Sequence, residues 1–304
     1  MKSDNLKESR NIEDRRGQSY SQSSGNSNLG GGILQILLSP GSFKSKIIII
    51  LLIVFLGGGG ASLGGLFGNG TSSQPYQSTQ VTRTNKTHVD DADAQFVSKV
   101  LGTTEDHWHK VFQAEGRTYQ EPKLVFYTGR TKTGCGVGQA SAGPFYCQTD
   151  KKIYLDMSFY KELTTKYKAS GDFAMAYVIA HEVGHHVQNE LGILGKYHRM
   201  QQGLSEKERN AISVRIELQA DYLAGVWARS IQDRNLLDIG DIEEAMNAAH
   251  AVGDDTLQEQ AYGYSVPDSF THGTSEQRMR WFKRGYQYGD LQHGDTFSLS
   301  DSEL

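Results

Sequence analysis

The sequence predicts an α+β fold, mostly helical with a small sheet, preceded by one membrane-spanning helix. Three observations predict it. Several stretches between residues 91 and 252 space their apolar residues as one face of a helix does. Two short stretches alternate in the manner of strands. A long uncharged run lies ahead of them all.

Taken in order, residues 1–43 are polar, rich in Ser, Asn and Gly, and are expected to be a disordered cytoplasmic segment. Residues 44–68, "KSKIIIILLIVFLGGGGASLGGLFG", hold 21 residues without a charge from Ile47 to Phe67. At 1.5 Å per residue that run spans roughly 30 Å, the hydrocarbon thickness of a bilayer. A cleaved signal peptide is the rival, but 46 residues before the apolar run are long for a signal peptide's charged region. Residues 1–46 carry seven Lys/Arg, and none follows the run until Arg83. The expected topology is therefore a single-pass anchor in the cell membrane, with the N-terminus cytoplasmic and everything after about residue 70 extracytoplasmic. Residues 69–92 read as a linker and residues 93–304 as one domain of ordinary size, without internal repeats.

Within that domain, "DADAQFVSKVLGTTEDHWHKVFQ" has Phe96, Val100 and Leu101 at helical spacing behind an acidic start. "PKLVFYTGR" (122–130) reads as a strand ending at Gly129, and "KIYLDMSF" (152–159) as a second, leading into the helix-like "YKELTTKYKAS". "AMAYVIAHEVGHHVQNELG" (174–192) is a helix expected to be capped by Asp172. Further helices are expected over 206–230 and over 240–252, the latter capped by Asp241.

A formal charge of -4 with 22% charged residues supplies no basic field, so nucleic acid is not an expected partner. Cys135 and Cys147 bracket the loop "CGVGQASAGPFYC". They would be free thiols in the cytosol and one local disulfide in an oxidising compartment. The outward orientation favours the disulfide.

His181, Glu182 and His185 match H-E-x-x-H. At 100° per residue the two histidines lie 40° apart on one helical face, which lets both imidazoles bind one tetrahedral zinc. Glu182, 100° round, can reach a water on that zinc without ligating. His186, 140° from His181, falls on the Glu182 row and is assigned to support. In a chain with ten histidines the five-residue match arises by chance on the order of once in fifty, so the remainder of the site has to be found. Gln188 and Leu191 stand where the metzincin pattern needs Gly and His, and the reversed H-x-x-E-H order is absent. A downstream carboxylate is the expected third ligand. In "RIELQADYLAGVW", Glu217 and Asp221 sit one turn apart beside Val214, Ala220, Ala224 and Trp227. Carboxylates at the edge of an apolar face are costly unless paired or metal-bound. Glu217 is therefore assigned to the metal, and Asp221 to the outer nitrogen of a ligand histidine; a surface ion pair with Arg215 is the alternative. The chemistry implied is hydrolysis of a peptide bond by a zinc-activated water, with Glu182 as general base and then as acid toward the leaving amine. His272 is the candidate second electrophile for the oxyanion, ahead of Tyr264; a loop histidine beside a helix N-cap at Thr274 is the plain alternative.

These segments resemble the neutral zinc metallopeptidase family of bacterial single-span membrane proteins. The resemblance is carried by "SRNIEDRRG", "CGVGQASAGPFYCQTDKKIYLDMSF", "GDFAMAYVIAHEVGHHVQNELG", "ELQADYLAGVWA", "GDIEEAMNAAHAVGDD" and "VPDSFTHGTSEQRMRWFKRGY". It implies an extracytoplasmic gluzincin-like domain with Zn2+ as cofactor and a peptide or protein as substrate. In it His181, His185 and Glu217 are ligands and Glu182 is the base. "THGTSEQR" is similar to a stretch of membrane-anchored gluzincins, which raises His272 and Arg278 as site residues by analogy. In that family cysteines often stand where this chain has Tyr222 and Gly294, so a second disulfide that would tether the C-terminal segment is missing. An anchored zinc endopeptidase is the function expected. A catalytically idle zinc-stabilised binding or sensor module is the first alternative, and an adaptor working through residues 1–43 the second.

Overall fold

The computed structural model describes residues 1–18 and 91–304. The expected anchor at 44–68 and residues 69–90 of the expected linker lie outside the described residues. Among the described residues no helix is long and apolar enough to cross a membrane.

A four-stranded sheet runs in the order β1 (Ile12–Asp14), β2 (Lys123–Tyr127), β6 (Lys152–Asp156), β5 (Phe145–Cys147). β1, β2 and β6 are parallel, with Ile12 opposite Leu124 and Leu124 opposite Ile153; β5 runs antiparallel on the edge, with Tyr146 opposite Ile153. The alternation read from the sequence is the two faces of this sheet. Leu124, Phe126, Ile153 and Leu155 enter the main core, whereas Val125, Tyr127 and Tyr154 form a small cluster with Cys147 on the other face. A separate hairpin, β3 (Arg130–Thr133) and β4 (Gly136–Gln139), is tied to β5 by the Cys135–Cys147 disulfide.

Eight α-helices follow or flank the sheet among the described residues: α1 (Ala92–Ala114), α2 (Ser158–Thr165), α3 (Asp172–Glu190), α4 (Ile193–Met200), α5 (Glu206–Asp233), α6 (Asp241–Ala251), α7 (Asp254–Tyr262) and α8 (Ser275–Tyr288). α3 is buried on nearly every side, from Phe173 to Val187, and forms the centre of the core. α5 begins at a capping box of Ser205 and Glu208, and α8 at one of Thr274 and Gln277, the cap expected at Thr274. α5 and α8 make the most extensive helix pair. Their backbones touch: a Cβ on Gly285 would lie 1.9 Å from the Tyr222 carbonyl oxygen, and one on Gly225 2.0 Å from that of Phe282.

Three expectations are corrected, and the alternative pairing of Arg215 is set aside. Residues 1–18 belong to the domain rather than to a disordered segment. Their three-residue strand joins the sheet, and Glu13 takes hydrogen bonds from Arg15 Nε and Lys152 Nζ, each at 2.8 Å. Asp172 and Asp241 do not cap their helices, whose N-caps are Gly171 and Gly240; instead both carboxylates receive the Met1 ammonium, at 3.0 and 3.2 Å. Arg215 pairs with neither Glu217 nor Asp221. Its guanidinium donates to the carbonyls of Thr296 and Leu299 and meets Asp301. The C-terminal segment is thus tethered without a second disulfide, and the Tyr222 ring packs where a side chain at Gly294 would stand.

Candidate metal centre

α3 presents His181 and His185 toward Glu217 on α5. His181 Nε2 lies 3.1 Å from Glu217 Oε2, and His185 Nε2 lies 3.5 Å from Oε1. One donor atom from each of the three residues fits within 4.8 Å of the others. A tetrahedral zinc with ligand bonds of about 2.0–2.1 Å needs its donors about 3.3 Å apart, so the two measured separations bracket the requirement. Two imidazole nitrogens and one carboxylate are a donor set that suits zinc. The residues present fit the ion.

The approach of the two helices follows from Gly184. A Cβ there would lie 2.9 Å from the Ala220 carbonyl oxygen and 3.2 Å from its Cα. A glycine that looks like a helix defect in the sequence is the point where α3 reaches the backbone of α5.

Behind the donors, each histidine's outer nitrogen is engaged. His181 Nδ1 is 2.8 Å from Asp221 Oδ1, which also accepts from the Tyr177 hydroxyl at 2.6 Å. Arg278 Nε donates to Asp221 Oδ2 at 2.8 Å and its Nη2 to Oδ1 at 3.0 Å. All four side chains are nearly or fully buried. Burial alone would raise the Asp221 pKa, yet the Arg278 guanidinium and His181 hold it down at about 2. Burial would likewise lower that of His181, but Asp221 and Glu217 push it up to about 10. His185 Nδ1 is 2.9 Å from Gln188 Oε1. Glu217, despite burial, is held well below the ordinary carboxylate range by His185 and His272.

Glu182 is 7% exposed, and among the described residues its carboxylate takes no hydrogen bond. Burial raises its pKa against the pull of His185 and His181. His272 belongs to the same charge cluster, since it and Glu217 shift one another. Asp254 holds the His272 loop in place: its Oδ2 accepts the backbone N–H groups of Thr271, His272 and Gly273, and its Oδ1 lies 3.3 Å from His272 Nδ1. Tyr264 is 63% exposed, its ring 6.2 Å from that of Tyr262, and among the described residues it makes no hydrogen bond into this network. His186 points away from the donors. Its Nδ1 meets the Tyr146 hydroxyl at 3.0 Å and its Nε2 the Gln120 carbonyl at 2.5 Å, joining α3 to β5.

The structure therefore brings together His181, His185, Glu217, Asp221, Glu182, His272 and Arg278, and leaves Tyr264 and His186 apart. Arg278 sits behind Asp221, away from the donor atoms. Tyr177, Gln188 and Asp254 were not foreseen as part of the arrangement. Tyr177 carried a signal, standing one turn before His181 on the same face; Asp254 carried none beyond that of an acidic residue at a helix start.

With the geometry established, comparison with known proteins places the chain. It is 48% identical over 294 residues to the uncharacterized protein YpfJ of Escherichia coli strain K12, covering 97% of this chain and 98% of that protein. It is 43% identical over 194 residues to the uncharacterized protein Rv2575 of Mycobacterium tuberculosis, covering 60% of this chain and 64% of that one. No solved structure matches. The family described as "Putative neutral zinc metallopeptidase" matches over residues 1–297, and the chain belongs to that family.

Proposed function

We propose that this protein is a zinc-dependent peptidase, an endopeptidase acting on peptide or protein substrates outside the cytoplasm. One observation carries the proposal. Three zinc-type donors from two helices converge beside a buried carboxylate, Glu182, that accepts no hydrogen bond among the described residues. A purely structural zinc site has no use for such a group.

Zinc bound by His181, His185 and Glu217 supplies Lewis-acid polarisation of water and of the substrate carbonyl. Glu182 takes the attacking water's proton and returns it to the departing amine. Its pKa, raised by burial, suits a group that must both accept and release. His272, oriented by Asp254, donates to the developing oxyanion. Asp221 keeps the His181 Nε2 lone pair available by accepting at Nδ1, and Arg278 and Tyr177 keep Asp221 in place. The Cys135–Cys147 disulfide supports an oxidising setting.

The test is Glu182→Gln in the full-length chain, with zinc content and cleavage of casein and a peptide library measured side by side. The expected result is unchanged zinc and a loss of cleavage of about 10²-fold or more. Zinc-replete wild-type protein that cleaves nothing would sink the proposal and favour the zinc-stabilised binding module.

A further inference from the structure

We infer that Gln188 is a positioning residue that sets the tautomer of His185; the inference rests on the metal-centre reading above. The argument is one of direction. Gln188 is fully buried, and its amide nitrogen lies 2.7 Å from the Ile216 carbonyl and 3.1 Å from Gln219 Oε1. A carbonyl oxygen only accepts, so the NH₂ end of Gln188 must face Ile216. Gln219 is fixed in the same way, because its own NH₂ donates to the Gly294 carbonyl at 2.9 Å and leaves its oxygen toward Gln188. Gln188 Oε1 is thereby forced toward His185 Nδ1, at 2.9 Å. An amide oxygen can only accept there. His185 must carry its proton on Nδ1, and its Nε2 lone pair is left facing Glu217 and the ion. The two ligand histidines are thus oriented by different chemistries: His181 by a carboxylate backed by Arg278, and His185 by a neutral amide chain running through Gln219 to the C-terminal segment.

The test is Gln188→Met in the full-length zinc-loaded protein, which keeps the volume and removes the acceptor. Histidine ring N–H resonances are followed by ¹⁵N NMR and zinc affinity by competition with a chromophoric chelator. The expected result is loss of the protected His185 Nδ1–H signal to solvent exchange, retention of the His181 Nδ1–H signal held by Asp221, and about 10–100-fold weaker zinc binding. Retention of both signals with affinity within about twofold of wild type overturns the inference, as does loss of both together, which marks general damage. A wild-type chain that takes up no zinc brings down the metal-centre reading itself and is distinguished at that step.

A second inference rests on other residues and is independent of the metal. We infer that residues 1–18 lie on the same side of any membrane as residues 91–304. The N-terminal strap is bound along its length. Lys2 N–H donates to the Leu236 carbonyl, Ser9 N–H to that of Ser98, Leu124 N–H to that of Asn11 and Arg15 N–H to that of Phe126, all at 2.8–3.1 Å. β1 then pairs with β2, and Arg16 meets Asp91, so the two ends of the intervening stretch meet on one body. Two segments docked on one body in this way cannot lie on opposite faces of a bilayer. The single crossing expected from the sequence would require the strap to undock and β2 to lose a strand.

Exposed Asn5→Cys and Gln287→Cys variants of the full chain, expressed separately in Escherichia coli, are treated with a maleimide that does not pass the inner membrane. The expected result is equal labelling of both before lysis. Labelling of one in intact cells and of the other only after lysis overturns the inference. Labelling of both only after lysis upholds the shared side but removes the proposed setting outside the cytoplasm.

Discussion

Gly184→Ala perturbs a close backbone approach between the two ligand-bearing helices. In an isolated helix the change would stabilise by about 1 kcal/mol. Here the new Cβ would stand 2.9 Å from the Ala220 carbonyl oxygen, where ordinary contact begins near 3.4 Å, so α3 and α5 must separate by about 0.5 Å. The obstacle is backbone and cannot rotate aside. Overpacking of this kind costs about 1–3 kcal/mol, which leaves a net loss of roughly 0–2 kcal/mol after the propensity gain. The larger effect falls on the metal. His181 and His185 ride on one helix and Glu217 on the other, three residues from Ala220, and a metal site tolerates only about 0.2 Å of error in its ligand distances. Zinc binding should weaken by about tenfold or more while the metal-free protein melts close to wild type. Chelator competition and thermal melts of the metal-free form check both halves. A variant stabilised by about 1 kcal/mol with zinc affinity unchanged would refute the claim that this close approach sets the ligand geometry.

Gly225→Ala should be more damaging, since its Cβ would lie 2.0 Å from the Phe282 carbonyl oxygen; denaturant unfolding should show a loss of more than about 3 kcal/mol, or no folded protein. Removing residues 1–18 deletes β1 and the Glu13–Lys152 contact, so a chain starting at residue 19 should melt well below the full-length protein in calorimetry. His107 is held neutral by burial and by Lys110 and Arg234, with its pKa lowered to about 4. Above pH 6.5 both folded and unfolded forms are neutral there. As pH falls from 6.5 toward 4 the unfolded chain binds a proton that the folded one refuses, so stability is lost, by up to about 3 kcal/mol. His107→Leu should flatten that part of the melting profile, and an unchanged slope would count against the assignment.

Much of this protein is legible in its sequence because the relevant physics is short-range. The 3.6-residue period placed His181 and His185 on one face, separated Glu182 and His186 from them, and put Glu217 and Asp221 on an apolar helix face where an unpaired carboxylate is costly. The alternation in "KLVFY" and "KIYLD" likewise marked two strands. β1 was not legible: its residues are Ile12, Glu13 and Asp14, too few and too charged to show a period. The strand exists because β2 offers an open edge and because Lys152, Arg15 and Arg16 neutralise its acids. Gly184 shows the same divide. The sequence alone marks it as a helix weakened by about 1 kcal/mol, and only the packing of Ala220 against it makes the gap meaningful. Gln188 and Asp254 are ordinary polar residues until Ile216 and the Thr271–Gly273 loop, remote in the chain, supply the carbonyl and the N–H groups that orient them. The sequence by itself determined the ligand-bearing helices and the type of chemistry they suit, since one turn of helix contains that information. The tertiary structure decided which helix meets which, what stands behind each histidine, and that the N-terminal strap is part of the domain, because those depend on contacts between residues far apart in the chain.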